Sequence, residues 1–124
     1  MASDPAERLA ETCHERVGDN LRSVAAYSPD GLDPVYLRDD IRHMYSGESF
    51  ARLVGKLTAV QAEIESADPE STPLGPNQAN VFVFDGALVC QFPAGGSEGH
   101  MVSMEPHVGQ MLDRFLSACR QSLH

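Results

Sequence analysis

Asn80-Val81-Phe82-Val83-Phe84-Asp85-Gly86-Ala87-Leu88-Val89-Cys90-Gln91-Phe92 is the stretch that decides the fold. Asp-Gly between two apolar runs is the favoured pair for a type I′ hairpin turn, because both central residues take φ > 0. Folding the runs back on each other sets Phe84 opposite Ala87, Val83 opposite Leu88, Phe82 opposite Val89 and Val81 opposite Cys90. Side chains alternate along a strand. One face therefore carries Val81, Val83, Leu88, Cys90 and Phe92, and the other Phe82, Phe84, Ala87 and Val89. With both faces apolar, the hairpin belongs in a sheet covered on two sides, or covered on one side and used for assembly on the other.

Upstream, Ser46 is a plausible cap for a helix in which Phe50, Leu53, Val54, Leu57, Val60 and Ile64 keep one side apolar. Asp68 to Asn77 holds three prolines and Gly75, so it reads as a surface loop. At the start of the chain, Asp4 is placed to cap a helix opening at Pro5, with Glu7 at capping-box spacing. Ala6, Leu9, Cys13 and Val17 recur at helical intervals as far as about Gly18. Leu21 to Tyr27 and Val35 to Leu37 are β-favouring and are joined through Ser28-Pro29-Asp30-Gly31, which has turn chemistry. Pro34 restricts the second of these strands to a start or an edge.

Downstream, Pro93 and a flexible stretch from Ala94 to Gly99 lead to a short strand, His100 to Met104. Pro106 then opens a last helix in which Val108, Met111, Leu112, Phe115, Leu116, Cys119 and Leu123 form a wide apolar stripe. At about 1.5 to 3 kcal/mol for each buried side chain, that stripe makes the helix an integral part of the core. The order helix, two strands, helix, three strands, helix implies one α+β domain over residues 1–124. Its expected form is an antiparallel five-stranded sheet with helices on both faces.

Composition narrows the function classes. Eighteen Asp and Glu face nine Lys and Arg, for a formal charge of −9, and Lys56 is the only lysine. A phosphate backbone needs a basic stripe, and an anionic membrane needs basic clusters; neither is present, so nucleic acid and membrane are not expected partners. The N-terminus lacks the apolar core of a signal peptide, and the expected location is cytoplasmic. Acidic excess with one lysine is the signature of a protein kept soluble at high ionic strength. Cys13, Cys90 and Cys119 are far apart and odd in number, and read as small buried core residues without a disulfide framework or zinc site.

The candidate chemistry is sparse. Asp39, Asp40, His43 and Glu48 are the one set with a metal-ligand composition, but an acidic chain brings carboxylates together by chance. The expected reading is a solvated connector before the middle helix, where Arg38 and Arg42 can pair with the aspartates. His100 and His107 flank Glu105, but a general base needs an oriented partner and a pocket. Gly55-Lys56-Leu57-Thr58 lacks the upstream glycine of a phosphate-binding loop, since that position is Phe50. Gly95-Gly96-Ser97-Glu98-Gly99 does not form a nucleophile elbow. No catalytic, cofactor-binding or metal residue is assigned, and no cofactor is expected.

The element order, the length and the long middle helix resemble the roadblock, or dynein-light-chain-like, fold and its profilin-like relatives. Leu21-Arg22-Ser23-Val24 with Tyr27, Val35-Tyr36-Leu37-Arg38-Asp39-Asp40, and Phe115 with Cys119 resemble a group of small haloarchaeal proteins of unassigned function. The first resemblance implies a homodimeric scaffold or regulator, with a small GTPase or signalling protein as partner; the second implies a salt-loving source. The expectation is a non-enzymatic interaction module. The alternative is a small-ligand sensor whose cavity is lined by Tyr27, Tyr36, Phe82 and Phe84.

Overall fold

Pro5 presets the backbone for α1 (Pro5–Val17), and the Arg8 N–H donates to the Asp4 carbonyl at 3.1 Å. The Asp4 side chain makes no cap bond, so the start expected there is held through the backbone alone. The computed structural model describes residues 4–44, 47–67 and 73–123, without the side chains of Met44, Glu48 and Phe50. Gly18, at φ 58°, ends α1 and a 3-10 turn leads into β1 (Leu21–Ser28). β2 (Gly31–Leu37) begins earlier than expected and contains Pro34. The missing N–H is tolerated because β2 is an edge strand of the sheet.

The expected connector is instead a short helix, α2 (Asp39–Met44). Ile41 and Arg42 donate to the Arg38 carbonyl, and the fully buried Ile41 anchors the turn. α3 (Gly47–Ser66) follows; its expected cap, Ser46, lies outside the described residues, as do residues 68–72 of the expected loop. Val54, Leu57 and Gln61 are the buried side of α3, while Leu53 and Val60 are exposed. The apolar stripe read from the sequence is therefore rotated towards Gln61.

β3 (Asn80–Val83), β4 (Leu88–Gly95) and β5 (Glu98–Met104) complete an antiparallel sheet of order β2-β1-β5-β4-β3. Val83 pairs with Leu88, Phe82 with Val89 and Val81 with Cys90, the register that Asp85-Gly86 implies. The turn itself differs. Gly86 is not among the positive-φ glycines, so the turn is not type I′, and the Phe84 N–H closes it on the Ala87 carbonyl at 2.9 Å. Left-handed glycines stand instead at Gly95 (φ 108°) and Gly96 (φ 59°), where Gly95 pairs with Glu98. The stretch expected as a flexible loop is thus a tight hairpin.

Each sheet face has its own core. Tyr27, Val54, Leu57, Val89 and Met101 pack between the sheet and α3, with Leu32 and Phe82 against them. Leu21, Val24 and Val102 pack on the opposite face with Leu9, Cys13 and Val17 of α1, and with Tyr36 and Cys90. α4 (Gln110–Ser122), which follows a 3-10 turn at Pro106–Gly109, corrects the sequence reading. None of its residues is buried: Met111 is 86% exposed, Phe115 64%, and Leu123 just beyond it 81%. The amphipathic pattern formed a helix as expected, but of the stripe only Val108 and Leu116 are half-buried, and Met111, Leu112, Phe115, Cys119 and Leu123 face away from the core.

Candidate functional site

Three places on this frame carry the residues singled out in the sequence. At one end of the sheet, Arg38 donates to both oxygens of Asp40 at 2.6 and 2.9 Å, to Glu105 Oε1 at 2.6 Å and to the Asp19 carbonyl at 2.8 Å. Arg22 lies 3.7 Å from the same Glu105 oxygen, and its buried Nε has no hydrogen-bond partner. Asp40 and Glu105 hold the Arg38 guanidinium protonated above its already high range, and Arg38 holds the Asp40 carboxyl below the usual carboxylate range.

Asp40 is therefore committed to an arginine, Asp39 and His43 are exposed, and the side chain of Glu48 lies outside the described set. Among the described residues no group of three or more His, Cys, Asp or Glu is placed to hold a metal ion. Glu105, engaged by two arginines, is not oriented as a partner for a histidine. His100 sits opposite Ala26 and Phe92 on β5, and His107 follows the far end of that strand.

Beneath α3 lies a polar relay within the apolar core. Tyr27 donates to Gln61 Oε1, and Gln61 Nε2 donates to the carbonyls of Gly96 (2.8 Å) and Glu98 (3.0 Å). Gln91 Nε2 donates to the Leu57 carbonyl at 2.9 Å while its Oε1 accepts from Asn80. Burial pushes the Tyr27 phenol up. Both glutamines sit at sequence positions that share the core face, Gln61 four residues after Leu57 and Gln91 two after Val89. That spacing is the signal that was available for them.

A groove of about 310 Å³ opens beside this relay, lined in part by Pro29, Leu32, Ala51, Val54, Gly55 and Thr58. Leu32 and Val54 also line a second, narrow pocket under α3, together with Ser23 and Ser103. The small residues Ala51, Gly55 and Thr58 recur along α3 and leave the groove open. The four aromatics expected around a cavity are not brought together. Tyr27 and Phe82 pack under α3, Tyr36 meets His14 edge-on across the other face with ring centres 4.5 Å apart, and Phe84 is exposed.

The third place is apolar and open to solvent. On the sheet face shared with α1, Leu88 is buried and Cys90 packs in the core beneath α1, yet Val81, Val83 and Phe92 remain exposed. α4 stands beside this margin, where Asp113 and Arg120 line a depression with Val83, Phe84 and Asp85. The helix thus turns Asp113 and Arg120 towards the hairpin, keeps Leu116 half-buried and presents Met111, Leu112 and Phe115 outward. Cys119 is exposed on the same helix, contrary to the expected core position. Cys13 and Cys90 are half-buried, and desolvation pushes both thiols up, Cys13 also through Cys90.

These features define a small α+β domain built on a five-stranded antiparallel sheet with one helical layer on each face. The chain belongs to a family of domains of unknown function, DUF7522, which matches residues 7–124. No curated protein and no solved structure matches it. No helix among the described residues is long and apolar enough to cross a membrane.

Proposed function

We propose that this domain is a non-catalytic interaction module that associates with itself as a homodimer and presents the paired domains to a further protein partner in a salt-rich cytoplasm. The observation that carries the reading is α4: a strongly amphipathic helix with no buried residue and with Met111, Phe115 and the following Leu123 mostly in water. Contiguous exposed apolar surface on a soluble chain marks an interaction site. The charge chemistry elsewhere supports a structural role, since Asp40 and Glu105 are each held by arginine.

The element order supports the roadblock-like analogy, and with it a small GTPase or other signalling protein as the kind of partner to test. The measurement is the mass of the chain by multi-angle light scattering at micromolar concentration in molar salt. Twice the mass of one 13.4 kDa chain supports the reading, and a single-chain mass across the accessible range removes it.

The groove beside α3 favours a second reading, a small-ligand sensor, because about 310 Å³ is at the lower end of ligand-binding cavities. A thermal-shift panel of nucleotides and metabolites tests it. Stabilisation by one chemical class supports a sensor, and no shift across the panel counts against it.

A further inference from the structure

Among the described residues two apolar surfaces lack a cover, and each has what the other needs. The first is the β3–β4 margin, where Val81, Val83 and Phe92 stand in solvent beyond the reach of α1. The second is the outward stripe of α4, Met111, Leu112 and Phe115, continued by Leu123. α4 cannot cover its own hairpin with that stripe, because the edge it turns to Val83 and Phe84 carries Asp113 and Arg120.

We propose that a second copy of this chain lays its α4 stripe across the exposed β3–β4 face and receives the same contact in return, closing a two-fold dimer. The proposal rests on the self-association reading above and specifies its surface. Three observations select a second copy as the occupant. A two-fold axis makes every such contact twice, so one helix and one strand pair per chain satisfy both surfaces with neither left over.

Charge points the same way. In a chain of net charge −9, α4 carries Arg114 and Arg120 against Asp113, while β3 and β4 carry no charged residue. Meeting through these elements keeps the acidic surfaces of the two copies apart. Area is sufficient as well. With roughly 100 Å² wet on each of the exposed residues named here, each chain offers about 700 Å², close to the roughly 800 Å² per partner of a stable interface.

The test is charge complementation, read by sedimentation at the lowest salt concentration at which the native chain remains folded, so that the introduced charges are not fully screened. Phe115→Lys and Val81→Glu change residues that are already exposed, so each variant should keep the thermal melt of a folded domain. Each alone is expected to sediment as a monomer. Their equimolar mixture is expected to regain dimers, because Lys on one helix then meets Glu on the other sheet while the reciprocal contact stays native. Should Val81→Glu fail to fold, Val83→Glu probes the same face.

Cys119 gives a reading in the unmodified chain: its rate of alkylation should fall at least several-fold as chain concentration rises through the dimer range. If the native chain is monomeric throughout, the self-association reading falls and this surface with it. If the native chain is dimeric but Val81→Glu stays dimeric alone, as it would were α4 to pair with α4, or if neither variant dissociates it or the mixture stays monomeric, this surface is wrong and self-association stands.

Discussion

Arg38 donates to Glu105 Oε1 at 2.6 Å and thereby ties the residue before α2 to the residue before the 3-10 turn that leads into α4. Glu105 also balances Arg22, whose side chain is nearly buried and lacks a partner at Nε. Replacing Glu105 by Gln keeps the shape and removes the charge, leaving two guanidiniums facing each other in a partly desolvated site. The expected loss is on the order of 1 to 2 kcal/mol, less than for a fully buried pair because Glu105 is partly exposed. Urea unfolding measures it; a midpoint equal to that of the native chain would show that Arg22 is content without Glu105.

Asp40 provides the pH test. Its carboxyl is held below the usual range by Arg38, so the folded chain binds a proton there less readily than the unfolded chain does. A group lowered on folding contributes stability that is present above its unfolded pKa, about 4, and is lost as pH falls through the folded value. The difference in melting temperature between native chain and Asp40→Asn should therefore be present at pH 6 and shrink below about pH 4. A difference that grows on acidification would contradict the pairing.

Gly99 and Tyr27 should be coupled. A Cβ at Gly99 would overlap the Tyr27 hydroxyl and stand 2.7 Å from the Phe92 carbonyl oxygen. Gly99→Ala is expected to cost about 1 to 3 kcal/mol by overpacking, and Tyr27→Phe a similar amount by leaving Gln61 Oε1 without its donor. Removing the hydroxyl takes away the nearest overlap, while the ring carbon that bore it (2.6 Å) and the Phe92 carbonyl (2.7 Å) still crowd the methyl group. The double variant should therefore fall short of the sum by about 0.5 to 1 kcal/mol, and strict additivity in a double-mutant cycle would show that the two do not meet.

The sequence made the sheet legible because local chemistry and the global fold agree there. Alternation and Asp85-Gly86 gave the β3–β4 register residue by residue, although the turn type came out differently. It misled at α4 because periodicity reports that a helix has two sides and not which side meets the protein. Two ends of a hydrophobic pattern look alike whether they close a core or an interface. The Arg22, Arg38 and Glu105 cluster stayed hidden for another reason: its members are joined across strands and separated in the chain, so no spacing rule brings them together. The groove is not legible because Gly55, Ala51 and Thr58 act there by leaving space on α3, and a small side chain leaves no apolar pattern to read.

Salt is the lever that the composition sets. With eighteen acidic residues against nine basic ones, the folded chain concentrates a charge of −9, and its self-repulsion is felt over roughly 10 Å at 0.1 M salt but only about 3 Å at 1 M. The ion pairs around Glu105 weaken under the same screening, yet they are few beside the unbalanced carboxylates. The melting temperature is expected to rise by roughly 5 °C or more between dilute buffer and molar sodium chloride at pH 7, corresponding to about 1 kcal/mol. Repeating the series near pH 4.8, the sequence pI, separates this from general salting-out: net charge vanishes there, so the salt dependence should flatten if repulsion is the cause. An equal slope at both pH values, or none at pH 7, would remove the salt-adapted reading and leave the acidic surface without that role.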